Sequence, residues 1–340
     1  MRDYIIRRLL ILIPVMIGVS LLTFALFNII PGDACVLRLG FGSTPETLKA
    51  CREAHGLNRQ LFPVKLDSDL PFINAQAVVH PQESQYGGWL WDIVVSQDLG
   101  QSLAEGSAKV STELERRLPI TAELMIMTII FALVLGILPG MLSAMRPNTP
   151  IDWLARVLSV LWLSIPSFYL AILLITFGLL WLGWTPPQFG RGYVPFMDDP
   201  WVNLEEFFFP SLVLSVGIAA VIMRLTRSAM LEVLRNDYIR TAWSKGLRER
   251  TVVWRHALKN ALIPVVTLVG LQIGALIGGA VIIESVYNLN GVGKYTLEAI
   301  IRRDLFVVQS LTLMFALVYV LSNLMVDVAY GWLDPRIHYT

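Results

Sequence analysis

Six stretches of the sequence approach or exceed the thickness of a bilayer without an internal charge: residues 9–30, 124–145, 157–184, 207–223, 260–283 and 305–326. A hydrocarbon core of about 30 Å takes roughly 20 apolar residues of helix, so the pattern predicts six spanning helices and an all-α integral membrane protein. Residues 207–223 stand at the short limit. Residues 157–184 are long for one span and too short for two, and Pro166 within them removes a backbone donor and predicts a kink. Composition agrees, with 55% hydrophobic and only 16% charged residues, where soluble domains carry about a quarter. A net charge of +1 argues against nucleic acid as a partner.

Arg2, Arg7 and Arg8 precede the first run as in a signal peptide. The run is too long for an ordinary signal core, however, and "IIPGDAC" offers no small-x-small cleavage site. Asp33 likewise stands where a lipoprotein would need a small residue before Cys35.

Basic residues in short connections mark the cytoplasmic side. The N-terminus, the turn over residues 146–156 and residues 224–259 carry them, the last with nine basic against three acidic residues. The connection before the fourth run is acidic instead, with Asp198, Asp199, Glu205 and Glu206. Both termini are therefore expected inside and residues 31–118 outside. The chain then divides into residues 1–30 (N-terminus and first span), an extracytoplasmic segment 31–118, and a core 119–340. Cys35 and Cys51 share the outer segment, where an oxidising compartment permits either a disulfide or two unpaired thiols.

The spans lack the midplane charges on which ion-coupled transport depends. Glu123 and Glu284 fall at outer ends, Arg224 and Asp327 toward the inner side. "NLNGVGKYT" (288–296) pairs Gly293 with Lys294 as a phosphate-cradling loop would, but Asn288 takes the slot of the first glycine and Tyr295 that of the Mg²⁺-binding hydroxyl. A turn rich in Asn and Gly is the better reading. His55, His80, His256 and His338 show no metal-ligand spacing, and no nucleophile elbow or HExxH occurs. No catalytic, cofactor-binding or metal-binding residues are assigned. In the fifth run Gly270, Gly274 and Gly278 share one helix face, which predicts a close helix contact within the bundle or across a subunit interface.

Residues 236–262 read as an amphipathic elbow. Asn236 is placed to cap a first helix, Gly246 to end it in a left-handed turn, and Arg248, Arg255 and Lys259 recur along a second. Such an elbow could lie on anionic headgroups of membrane lipid, at about 1 kcal/mol per basic residue, or dock a cytoplasmic partner.

"YIRTAWSKGLRERTVVWRHALKNALIPVV" (238–266) resembles the EAA loop of binding-protein-dependent ABC importers, and its form "RTAxxKGL…RHALxNALIPVV" is similar to the dipeptide/oligopeptide permease branch. Arg240, Thr241 and Ala242 fall at the E-A-A positions and Gly246 at the motif glycine. His256 takes the isoleucine slot, Leu258 the leucine and Lys259 the proline; only Ala242, Gly246 and Leu258 match the general motif. "IRRLLILIPVMIGVSLLTFALFNIIPGD", "DLGQSL", "ERRLPITAEL", "LSIPSFYL", "GGAVIIESVYNLNGVGKYTLEAIIRRD" and "LVYVLSNLMVDVAYGWLDPRIHY" resemble that branch as well. "VKLDSDLPFINAQAVVHPQESQYGGW" departs from it as a longer connection.

The resemblance implies a six-helix type I permease fold and a non-catalytic subunit carrying peptides inward. It also implies a second, homologous permease subunit, two cytoplasmic ATPases that use ATP and Mg²⁺, and an extracytoplasmic solute-binding protein. Arg240, Thr241, Ala242, Trp243, Gly246, Leu247, Arg255 and Leu258 would then contact the ATPase, the apolar ones filling its cleft. Close relatives of other cargo, nickel chelates or oligosaccharides, share the pattern. A self-sufficient secondary transporter or channel is the reading of a different class; activity without any ATPase would discriminate it.

Overall fold

The computed structural model describes residues 2–29, 34–39, 43–54, 56–62, 64–67, 70–73, 83–102, 108–189 and 192–333. Ile30, Asp33, His55, His80, His338 and the side chain of Asp327 lie outside the described residues. The first helices are α1 (Arg2–Ile29), α2 (Ala34–Leu39), α3 (Pro45–Ala54) and α4 (Gln85–Val94). Then come α5 (Val110–Met145), α6 (Pro150–Ser164), α7 (Ser167–Leu182), α8 (Pro200–Val233) and α9 (Asp237–Ser244). The chain continues with α10 (249–261), α11 (Ile263–Tyr287), α12 (Val292–Ile301) and α13 (Leu305–Leu333). The framework is all-helical, as the apolar runs predict. Among the described residues the one sheet is an antiparallel hairpin, β1 (Val64–Asp67) with β2 (Leu70–Ile73), inside the connection that departs from the family pattern.

Among the described residues, four helices are individually long and apolar enough to cross a membrane: α5, α8, α11 and the Leu305–Val326 part of α13; α1 holds a shorter apolar stretch, Leu10–Leu26. Two of the sequence-derived runs change shape. Residues 157–184 do not form one kinked helix but belong to two, α6 and α7, bent by 96°. The residue before a proline is pushed out of the helical region, and proline itself has no N–H to give. Ile165 (ψ 117°) and Pro166 (ψ 138°) accordingly both turn extended, and two successive residues leave the ladder.

Residues 207–223 lie inside a helix of 34 residues. Asp199 caps its start, accepting from the Trp201 and Val202 amides at 3.1 Å, and Pro200 occupies a first-turn position where no N–H is needed. The far end runs past Arg224 and Arg227 to Val233, since charge ends an apolar run but not a helix, and Arg227 is paired there. Its Nε donates to Asp152 Oδ1 at 2.7 Å and its Nη2 to Asp152 Oδ2 at 3.0 Å. Asp152 is fully buried and also accepts from Ser143 Oγ (2.6 Å) and the Asn148 amide (3.0 Å), so one carboxylate ties α5, α6 and α8 together.

The chain gathers into two compact units. The first comprises Met1–Leu9, Leu118–Lys294 and Val318–Thr340. Its core joins Ile120 and Leu124 of α5, Ala171 of α7, Phe207, Val213 and Leu214 of α8, and Leu276, Ala280 and Ile283 of α11. Glycines allow α5 and α8 to touch: a Cβ on Gly136 would stand 2.5 Å from Ile222, and one on Gly140 2.6 Å from the Met223 carbonyl.

The second unit comprises Leu10–Arg117 and Tyr295–Leu317. A disulfide between Cys35 and Cys51, with Cα atoms 5.9 Å apart, joins α2 to α3. Phe24, Tyr86 and Trp89 form a buried aromatic core with Phe62 at its edge, and the Phe24 ring meets those of Phe62 and Tyr86 edge-on at 5.4 Å. Ser102 Oγ donates to Asp304 Oδ2 at 2.5 Å and Ser310 Oγ to the Leu99 carbonyl at 2.8 Å, fastening residues 99–102 to the 304–310 stretch.

Candidate coupling site

The elbow at residues 236–262 is two helical arms meeting at Gly246. In the first arm, α9, Asn236 stands at the cap position with extended backbone, but its side chain makes no capping bond. The arm ends in a Schellman turn: the Leu247 amide reaches the Ala242 carbonyl (3.4 Å) and the Gly246 amide the Trp243 carbonyl (2.9 Å). Gly246 sits at φ +72°, a conformation that glycine adopts without steric cost.

Arg248 opens the second arm. The arm begins as Glu249–Thr251, widens into a π-helical turn over Val252–Ala257 and tightens again at Leu258–Ala261. Leu262 then leads directly into α11, with Pro264 in its first turn. Asn260 Nδ2 donates to the Tyr238 hydroxyl at 2.9 Å, tying the second arm back to the first. The elbow is thus one braced body continuous with a long apolar helix.

Burial divides the predicted contact residues into two groups. Ala242 and Leu258 are buried within the chain itself. With Ile239, Val252, Val253, Ala257 and Ala261 they pack against Met141 and Ala144 of α5 and Met230 of α8. They seat the elbow on the bundle and do not face outward, so the expectation that every apolar member fills a partner's cleft does not hold for these two. Arg240, Thr241, Trp243, Gly246, Leu247 and Arg255 are exposed. Trp243 (46%), Tyr238 (43%) and Trp254 (49%) give this basic surface large apolar side chains, and Tyr238 and Trp254 were absent from the sequence-derived set. The missing signal was the arrival of Met141 and Met230 from distant helices.

The glycine face of α11 also divides. A Cβ on Gly270 would collide with Val326, and one on Gly274 would stand 2.8 Å from Tyr319 Cε2, so these two admit α13. Gly278 has nothing within 4 Å. Gly274→Leu should therefore lower the melting temperature of the purified chain, at a cost of about 1–3 kcal/mol for overpacking. Gly278→Leu should leave it unchanged, and thermal unfolding in detergent separates the two.

The loop that superficially matches a phosphate cradle serves Glu284. This carboxylate, fully buried, accepts from Thr121 Oγ1 (2.7 Å) and the Lys294 amide (2.8 Å), while Thr121 Oγ1 accepts from the Val292 amide (2.8 Å). Cβ atoms on Gly291 or Gly293 would stand 2.5–2.9 Å from it, which explains both glycines. Lys294 Nζ is spent on the Asn288 and Asn290 amide oxygens (2.6 and 2.9 Å). Glu123 accepts from the Tyr193 hydroxyl at 3.0 Å. Among the described residues no group of three or more His, Cys, Asp or Glu could hold a metal ion.

Residues 132–339 match the family described as binding-protein-dependent transport system inner membrane component, and residues 1–125 match the N-terminal region of such membrane components. The chain is 38% identical to the dipeptide transport system permease protein DppB of Alkalihalophilus pseudofirmus, over the full length of both. It is 35% identical to the oligopeptide transport system permease protein AppB of Bacillus subtilis and 34% to the glutathione transport system permease protein GsiC of Escherichia coli, again over the full length of each. A chain of the inward-facing MetNI methionine ABC transporter shares the fold, with a TM-score of 0.50 at 19% identity over 65% of this chain and 96% of that one. Members of this family work with an ATPase and a solute-binding protein. The long apolar helices, the seated elbow and these matches together place the chain in the family of binding-protein-dependent inner membrane transport components, as a multi-pass, non-catalytic permease subunit of an ABC importer.

Proposed function

We propose that this subunit forms one half of a pathway for di- or oligopeptides, pairing with a second, homologous permease subunit. In this reading two cytoplasmic ATPases consume ATP and Mg²⁺, and an extracytoplasmic solute-binding protein delivers the cargo. The chain lies in a bacterial or archaeal plasma (inner) membrane with both termini cytoplasmic, its long apolar helices against lipid. The peptide assignment is supported by full-length similarity to permeases named for dipeptide and oligopeptide transport.

The coupling role rests on one observation: an exposed, basic and aromatic elbow is packed on α5 and α8 and continues into α11. Closure of the ATPases against Arg240, Thr241, Trp243, Gly246, Leu247 and Arg255 displaces the elbow. Its buried members, Ala242 and Leu258, carry that displacement into the bundle as a largely rigid-body motion. Gly270, Gly274 and Gly278 serve helix packing, the last toward the second permease.

The test is uptake of a labelled dipeptide by proteoliposomes holding the complete complex and its binding protein, with a nickel chelate and a cello-oligosaccharide as competing cargo. Saturable, ATP-dependent dipeptide uptake is expected. Uptake of either competitor in its place would overturn the peptide assignment and leave the subunit role intact.

A further inference from the structure

Residues of α6, α7, α8 and α11, all in the first unit, line a cavity of about 310 Å³ that neither the elbow nor the glycine contacts use. Its mostly apolar wall includes Ser167, at the start of α7, and Gln272 of α11. Neither side chain has a hydrogen-bond partner among the described residues. Neither hides its polar atoms, because the unpaired polar atoms sealed from solvent belong to other residues.

Such groups are out of place against lipid. Gln272 lies nine residues, about 14 Å along the axis, from the elbow end of α11, and so well inside a helix long enough to span the bilayer. Ile165, also on the wall, has left the helical conformation at the break between α6 and α7. Polar side chains and non-helical backbone at membrane depth are tolerated where they line a water-filled cavity or are buried in protein. Gly217 of α8 completes the wall, and a Cβ there would meet nothing within 4 Å, so the space in front of it is open.

The chemistry of the wall restricts what it can hold. Among its described residues none is charged, so it favours neither end of a peptide. A carboxamide matches a peptide bond, its oxygen accepting from the N–H while its nitrogen donates to the carbonyl. A cavity of about 150 Å³ takes a benzene ring, and this one has room for a peptide unit with a side chain. We propose that the cavity is part of the translocation pathway and that Gln272 binds the main-chain amide of the passing peptide. Every peptide carries that group whatever its side chains, so the contact admits varied sequences. This assignment rests on the reading of the chain as a peptide permease.

The test begins with water access. Both cysteines are joined in the disulfide, so an introduced thiol is unique. In the complete complex in nanodiscs, Gln272→Cys and Gly217→Cys should react with a charged methanethiosulfonate at least tenfold faster than Leu271→Cys, on the neighbouring exposed position. Equal, slow reaction of all three would overturn the pathway assignment. Amide recognition is read from uptake of alanyl-alanine against alanyl-lactate, its ester analogue without the N–H. Gln272→Leu should shrink the amide-to-ester uptake ratio at least fivefold, whatever the binding protein prefers, and an unchanged ratio would overturn the contact. If that variant is inactive, protection decides: binding protein loaded with alanyl-alanine should slow labelling of Gly217→Cys at least fivefold, and no protection would overturn the site. Uptake by the unaltered complex separates the failures. Dipeptide uptake without thiol access discards the cavity and keeps the function, whereas thiol access without dipeptide uptake discards the peptide reading.

Discussion

Gly246→Pro should abolish uptake while leaving the chain inserted in the membrane, and Gly246→Asn should retain most of it. At φ +72° the residue lies in the left-handed region, whereas proline is fixed near −65°. Proline would also remove the amide that bonds to the Trp243 carbonyl, so the Schellman turn would be lost and the two arms would meet at another angle. The effect is conformational and not steric, because a Cβ at this position meets nothing within 4 Å. That separates a graded series. Alanine pays only the left-handed penalty of about 1–2 kcal/mol, asparagine less because its side chain bonds locally in this region, and valine more. Dipeptide uptake and transport-linked ATP hydrolysis should fall in the order Gly, Asn, Ala, Val, Pro, with equal amounts of chain in the membrane fraction. Normal uptake by the proline variant would refute the coupling role.

Asp152→Ala should destabilise the chain by about 3–5 kcal/mol, because it leaves the mostly buried Arg227 guanidinium without its counter-charge. Against a total stability of order 5–15 kcal/mol this is enough to deplete the folded protein. Arg227→Met should cost less when Asp152 retains Ser143, the Asn148 amide and the flanking Arg156 at 3.6 Å. Combining Asp152→Asn with Arg227→Met removes both charges and should recover part of the loss. A double-mutant cycle on the melting temperature measures the coupling. Additive single effects would show that the pair does not clamp α5, α6 and α8 together.

The apolar runs made the helical framework legible, because each reports burial or lipid contact through an uninterrupted local pattern. Its boundaries were less legible where a distant residue sets them. The apolar run stops at residue 223, before Arg224, whereas the helix continues to Val233 and Arg227 meets Asp152, 75 positions earlier. Pro166 marks a break in the sequence, but the 96° angle follows from Ile165 also leaving the helix. In the elbow, Gly246 announces its turn through residue type alone. The division between buried Ala242 and Leu258 and exposed Trp243 and Trp254 depends instead on Met141 and Met230, which reach the elbow from other helices. Glu284 is a similar case: its place near an outer end fits an interfacial or a structural charge alike, and only the glycines packed against its carboxylate decide for the structural one.

The Cys35–Cys51 bridge makes the maturation of this chain visible in chemical time. In the proposed orientation, with residues 31–118 outside, the bond closes only after residues 34–54 reach an oxidising compartment, so a molecule that carries it would already have delivered that segment across the bilayer. A chain inserted the other way round would keep two alkylatable thiols. The bridge is therefore a covalent record of which way, and how early, the first helix was threaded.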